Sequence, residues 1–167
     1  VKPRSHREII SSVGAIDRTT FLKSWTLLTP WLTMSDVTLR RTQLATPASD
    51  EGMMHNAAES DADEVFLDLE DSVAPDAKAA AREPLIGAAR EADWSDKILS
   101  YRINGIDTKW WYDDVIEVVS AAGDAIDDII IPKVAGPSDI HTVENLLEQV
   151  EVNAGLEVGG IGLEPQI

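Results

Sequence analysis

From about residue 40 the chain alternates two hydropathy patterns. Short runs of β-type composition cover 41–46, 64–70, 98–104, 128–134 and 161–167. Longer stretches with helical spacing lie between them, near 49–60, 76–92, 108–122 and 137–153. Pro75 and Pro137 stand at helix starts, where proline's missing N–H would be unpaired anyway, and Gly105, Gly123 and Gly136 punctuate the connections. This alternation predicts βαβ units and a parallel α/β sheet. Side chains alternate across a strand, so each run splits into two faces. Val65, Leu67 and Leu69 oppose Phe66, Asp68 and Glu70; Leu99, Tyr101 and Ile103 oppose Ser100, Arg102 and Asn104. Lys133 is expected on the face of Ile129 and Ile131. A buried parallel strand is normally apolar on both faces. Here one face turns charged toward the carboxyl ends, as a barrel interior does where strands open onto an active site.

Four βα units and a fifth strand are countable, whereas a closed eight-stranded barrel takes ~250 residues. The pattern leaves a small open sheet or the first half of a barrel. No helix follows Glu164-Pro165-Gln166-Ile167, and a domain rarely ends on the strand that feeds its next crossover. The expectation is the first half, strands one to five, of a parallel (βα) TIM barrel.

Charge changes the picture more than composition does. The 167 residues are 44% apolar, enough for one domain, and carry 30 acids against 14 bases. That excess repels phosphate backbones and anionic lipid, so neither nucleic acid nor membrane is an expected partner. The absence of cysteine excludes disulfides, thiolate metal sites and thiol nucleophiles. No apolar run approaches the ~20 residues of a membrane span. Residues 1–33 hold five bases and two acids, whereas 34–167 hold nine bases and 28 acids. The apolar run 21–32 follows basic residues but precedes no small-residue cleavage site. The division reads as a non-core extension over 1–33, with Met34 the natural start of a barrel segment over 34–167. The acidity reads as cytoplasmic and adapted to high internal salt, where the Debye length falls to ~3 Å.

The candidate chemistry centres on Asp68-Leu69-Glu70-Asp71. Carboxylates this close raise one another's pKa unless a cation compensates. Arg102, Arg41 and Lys133 could do so, as could Mg²⁺, which takes carboxylate oxygens. The competing reading is a loop ion-pair network in which Glu70 or Asp71 caps the next helix. Serine-hydrolase, zincin, P-loop and dinucleotide-binding motifs are absent. His55 and His141 fall in helical stretches, and Trp110-Trp111 opens a helix in a packing role.

Several stretches taken together resemble the citrate lyase β-subunit and malyl-CoA lyase family, grouped with the HpcH/HpaI aldolases. They are Arg40-Arg41-Thr42-Gln43-Leu44-Ala45-Thr46-Pro47, then Val65-Phe66-Leu67-Asp68-Leu69-Glu70-Asp71-Ser72-Val73-Ala74-Pro75 with Lys78 and Ala81-Arg82. Tyr101-Arg102-Ile103-Asn104-Gly105 and Ile129-Ile130-Ile131-Pro132-Lys133-Val134 complete the set. Coverage runs from about residue 39 to the end, and the acidity is most similar to haloarchaeal members.

The resemblance implies a Mg²⁺-dependent TIM-barrel lyase, trimeric or hexameric, that cleaves a 3-hydroxyacyl-CoA to an acyl-CoA and an oxoacid such as glyoxylate. Arg102 would bind the oxoacid carboxylate and its developing oxyanion. Asp68, Glu70 and Asp71 would line the metal site through water, and Arg41 and Lys133 would add positive charge near the substrate. The family's direct metal ligands fall on strands five and six, the first of them immediately after Ile167, so none is expected within this chain. Glu164 lies three residues early in that motif. Ala48 stands where the family commonly has glycine. The alternatives are a malate-synthase-like condensation with thioester hydrolysis and a non-catalytic barrel remnant.

The charge of 34–167 predicts a salt-dependent fold. The thermal midpoint of that segment should rise between dilute buffer and molar KCl, with no shift on adding Mg²⁺. A cooperative melt in dilute buffer that Mg²⁺ raises would contradict the half-barrel reading.

Overall fold

The computed structural model describes residues 40–167, so the expectations for the 1–33 extension and for Met34 lie outside the described residues. Five parallel strands form one sheet: β1 (Gln43–Pro47), β2 (Glu64–Asp68), β3 (Ile98–Arg102), β4 (Asp128–Ile131) and β5 (Gly162–Pro165). They lie in sequence order, each paired with its chain neighbour. The crossovers carry α1 (Glu51–Ala58), α2 (Arg82–Glu91), α3 (Trp111–Ala122) and α4 (Pro137–Ala154). Asp50 caps α1 by accepting from the Met53 amide, and Gly155, at φ 73°, closes α4 in the left-handed conformation that glycine adopts without strain. No helix among the described residues is long and apolar enough to cross a membrane.

The apolar faces read from alternation are the ones that meet the helices. Val65, Leu67, Leu69, Leu99, Tyr101, Ile103, Ile129 and Ile131 share one core with Met54, Leu85, Val115, Val118, Val143 and Leu147. The opposite face carries Glu64, Phe66, Asp68, Ser100 and Arg102, and it is concave. Gln43 on β1 donates to Glu164 on β5 at 3.3 Å. In a flat sheet four strand spacings would hold those strands about 19 Å apart. Arg40 spans the same hollow, pairing with Asp128 and lying 3.2 Å from Glu164 and 3.8 Å from Glu64. The sheet is therefore rolled as in the first part of a βα barrel, with this network at its amino-end floor.

The ends of β2, β3 and β4 differ from expectation, each for a local reason. β3 stops at Arg102 because Asn104 turns back, its amide and side chain both donating to Asp114 on α3 (2.9 and 2.7 Å). β4 stops at Ile131, ahead of Pro132, which has no N–H for the ladder. β2 stops at Asp68, whose carboxylate accepts the amides of Glu70 and Ser72 and so starts a turn. The helix expected over 76–92 begins only at Arg82, preceded by successive turns.

Arg82 anchors that helix to its neighbour. It donates to Asp114 (2.8 Å), Glu117 (3.0 Å) and the Trp110 carbonyl (3.2 Å). Asp114 is fully buried, so its loss would leave a buried guanidinium short of its main partner. Asp114→Ala should cost of order 3 kcal/mol, read as a lower denaturant midpoint at constant slope. A loss under about 1 kcal/mol would show that Glu117 and the Trp110 carbonyl suffice for Arg82.

Candidate active site at the carboxyl ends of the strands

Asp68 and Arg102 are register partners at the ends of β2 and β3. Adjacent parallel strands with alternating side chains place both on the concave face, and they form a side-on pair. Arg102 Nε and one terminal nitrogen donate to the two Asp68 oxygens, each at 2.8 Å. The Glu70 and Ser72 amides donate to the same oxygens at 2.8 and 3.0 Å. Four donors match the four lone-pair positions of a carboxylate. Burial pushes the Asp68 carboxyl up, but the bonds from Arg102, Ser72 and the Glu70 amide outweigh it and hold the group below its ordinary value. The hydrogen bond to Asp68 likewise raises Arg102.

Asp68 was expected to line a metal site through water; the structure places its carboxylate against Arg102, with both oxygens already accepting two hydrogen bonds each. The guanidinium also lies 5.4 Å from the centre of the Phe66 ring, a cation–π contact beneath it. Its other terminal nitrogen reaches Gln166 Oε1 at 3.3 Å and lies 3.5 Å from Glu70 Oε2. With five N–H groups and two on Asp68, the end-on edge of Arg102 retains donors for an anionic ligand.

Glu70 sits beside that edge, 5% exposed. Its Oε1 lies 2.5 Å from Lys133 Nζ, while its Oε2 is buried with no hydrogen-bond partner among the described residues. A buried carboxylate oxygen left without a donor is costly, and in native proteins such groups usually meet a ligand, ion or water. Asp71 is exposed, 3.6 Å from the same ammonium. Two neighbouring carboxylates with free lone pairs suit Mg²⁺, which keeps most of its waters and takes few protein oxygens. No group of three His, Cys, Asp or Glu among the described residues could hold a metal alone. Glu70 and Asp71 thus fit a partial, water-bridged shell.

Lys133 reaches this site by breaking the alternation expected of it. Ile129 and Ile131 face the helices, but Lys133 adopts φ 55°, a left-handed conformation costly for a residue with a Cβ. That turn swings its side chain to the concave face, where Glu70 raises its pKa.

Arg41 is not brought to the site. It precedes β1, at the amino ends of the strands, and its guanidinium grips Asp63 at 2.6 and 3.1 Å. Hydrogen bonds from Arg41 hold the Asp63 carboxyl at about 2. The inward-reaching base is Arg40. Glu164 likewise faces the amino-end floor with Arg40 and Gln43. Gln166 is a site neighbour that no sequence signal marked, because its contact depends on the roll of β5 toward β3. Four cavities of 340–510 Å³ among the described residues lie away from Asp68, Glu70, Arg102 and Lys133.

Comparison with known proteins bears on this arrangement. The chain is 45% identical over 117 residues to an L-malyl-CoA/β-methylmalyl-CoA lyase of Rhodobacter capsulatus, covering 70% of this chain and 37% of that protein. It spans about a third of the length of such curated relatives. A Haloferax volcanii malate synthase in a magnesium/glyoxylate complex superposes with a TM-score of 0.70 at 20% identity, over 78% of this chain and 43% of that one, a likeness of fold alone. The citrate lyase β subunit of M. tuberculosis complexed with oxaloacetate and magnesium gives 0.52 at 28% identity, over 62% and 44%. The family model for HpcH/HpaI aldolase/citrate lyase matches residues 41–167. With its motifs on rolled parallel strands and that match over most of its length, the chain belongs to the HpcH/HpaI aldolase/citrate lyase family.

Proposed function

We propose that this chain supplies strands β1–β5 and part of the catalytic face of a Mg²⁺-dependent carbon–carbon lyase. The substrate is a 3-hydroxyacyl-CoA of the malyl-CoA, β-methylmalyl-CoA or citramalyl-CoA type, and the products are an acyl-CoA and an oxoacid such as glyoxylate. The observation that carries the reading is the end-on edge of Arg102, oriented by Asp68, with Glu70 Oε2 3.5 Å from it and without a hydrogen-bond partner among the described residues. The 45% identity to a malyl-CoA/β-methylmalyl-CoA lyase supports it.

Retro-aldol cleavage removes the proton of the 3-hydroxyl and turns that carbon–oxygen bond into a carbonyl. The carbon–carbon electron pair passes to the α-carbon of the thioester, giving an enolate that is then protonated. Arg102 binds the carboxylate of the departing oxoacid through its free N–H groups and stabilises charge on the neighbouring oxygen. Asp68 keeps the guanidinium from rotating, so those donors are oriented before the substrate arrives. Lys133 adds a second positive charge and partly neutralises Glu70 and Asp71. A Mg²⁺ bound through water to Glu70 and Asp71 would supply Lewis-acid polarisation of the oxygen that becomes the new carbonyl.

The test uses the longest native translation product that contains this chain. Arg102→Ala should lower kcat/KM for cleavage by roughly 10²–10³-fold. Arg102→Lys should recover little, since an ammonium cannot hold Asp68 side-on and a second carboxylate end-on. Near-wild-type turnover in Arg102→Ala would remove the centre of the proposed site.

The Asp68–Arg102 pair also sets an acid limit on stability. A carboxyl lowered by folding contributes stability that is present above its unfolded pKa of ~3.9 and is lost as pH falls through the folded value. In thermal melts from pH 7 down to pH 2, Asp68→Asn should flatten part of the acid-side fall in midpoint. An unchanged fall would show that other carboxylates account for it.

A further inference from the structure

Lys78 is a buried cation to which the proposed reaction assigns no part. It is 8% exposed, and no carboxylate among the described residues pairs with it within 4.0 Å. Its ammonium donates instead to two main-chain carbonyls, Leu69 at 3.1 Å and Glu70 at 2.6 Å, and lies 5.6 Å from the centre of the Trp110 ring. Burying an ammonium against carbonyls alone carries an uncompensated desolvation cost. Burial duly lowers its pKa, opposed only by the field of Glu70, Asp68, Asp114 and Asp71. An apolar side chain would cost less at such a position, so the charge has to do something that packing does not.

What it touches shows what that is. The carbonyls of Leu69 and Glu70 belong to the peptide units on either side of Glu70, where the chain leaves β2. The amides of that turn are held from the other side: Glu70 and Ser72 donate to Asp68, and Val73 donates to the Glu70 carbonyl at 3.3 Å. The ammonium holds the carbonyls of both peptide units, and the Asp68 carboxylate holds the amide of the first, Glu70 N–H, and that of the unit after the second, Ser72 N–H. Those peptide units set the direction of the Glu70 and Asp71 side chains.

We propose that Lys78 is a positioning residue of the site, clamping the Leu69 and Glu70 carbonyls so that the Glu70 and Asp71 carboxylates are held toward Arg102 and Lys133. The catalytic consequence rests on the lyase reading above; the clamp does not.

The experiment has a structural arm and a kinetic arm. In this chain, Lys78→Met should raise amide exchange of Glu70, Ser72 and Val73 by at least about tenfold, with the amides of β3 and α4 unchanged. Lys78→Gln, which keeps one donor, should raise it less and serves if methionine is not accommodated. The chain has no cysteine. Lys78→Cys can therefore be alkylated with 2-bromoethylamine in denaturant and refolded, which restores an ammonium at the same reach and should restore protection. In the longest native product, Lys78→Met should lower kcat by at least about tenfold and leave KM for the CoA thioester within about twofold, because Lys78 is buried against main-chain carbonyls. Exchange that is unchanged at 70–73, or that rises equally everywhere, would overturn the clamp. Normal kcat in Lys78→Met, where Arg102→Ala is inactive, would overturn its catalytic consequence. If Arg102→Ala is itself active, the lyase reading fails, and the exchange arm still decides the role of Lys78.

Discussion

The side-on pair between Asp68 and Arg102 is the contact on which the carboxyl-end site depends. Two opposite charges at matching register of adjacent parallel strands meet without any loop adjustment, because pleat and register already bring them together. The pair is nearly dry, so each partner would be costly alone, and the backbone amides of the following turn complete the carboxylate's hydrogen bonds. One interaction therefore ends β2, orients the guanidinium and begins the turn that presents Glu70 and Asp71. The Phe66 ring under Arg102 comes from the same alternation one step earlier along β2.

The opposite end of the sheet uses the same elements for shape. Arg40 draws together acids from β2, β4 and β5, and Gln43 reaches from the first strand to the fifth. Burial pushes Asp128 up even beside Arg40, as expected where several carboxylates share one guanidinium. These contacts bridge strands that are not neighbours in the sheet. They hold the concave face closed enough for Gln166 beyond β5 to touch Arg102 on β3. Chemistry at one end and curvature at the other are thus served by alternate residues of the same short strands.

Where the strands stop, alternation ceases to predict direction, and the site is built from those exceptions. Asn104 turns to Asp114 behind the sheet, where Arg82 joins α2 to α3. Lys133 goes the other way, through a left-handed backbone just past Pro132. Backbone strain of this kind persists only where surrounding contacts over-determine it, and here Glu70 and Asp71 receive the ammonium.

The sequence by itself determined the α/β class, the five parallel strands and the faces of β2 and β3 that meet the helices, because both periods and the punctuating prolines and glycines are local. It also marked Asp68, Glu70, Asp71 and Arg102 as one group, since charged residues on the non-core face gather at strand ends where a barrel opens onto its site. Only the tertiary structure decided which arginine of the Arg40-Arg41 pair turns inward, that Asp68 serves Arg102, that Lys133 crosses to the concave face, and that Gln166 and Lys78 belong to the site's surroundings. Each of those outcomes depends on strand roll, on a turn's dihedrals or on a contact between residues far apart in the chain. Periodicity, which describes one segment at a time, carries no information about them.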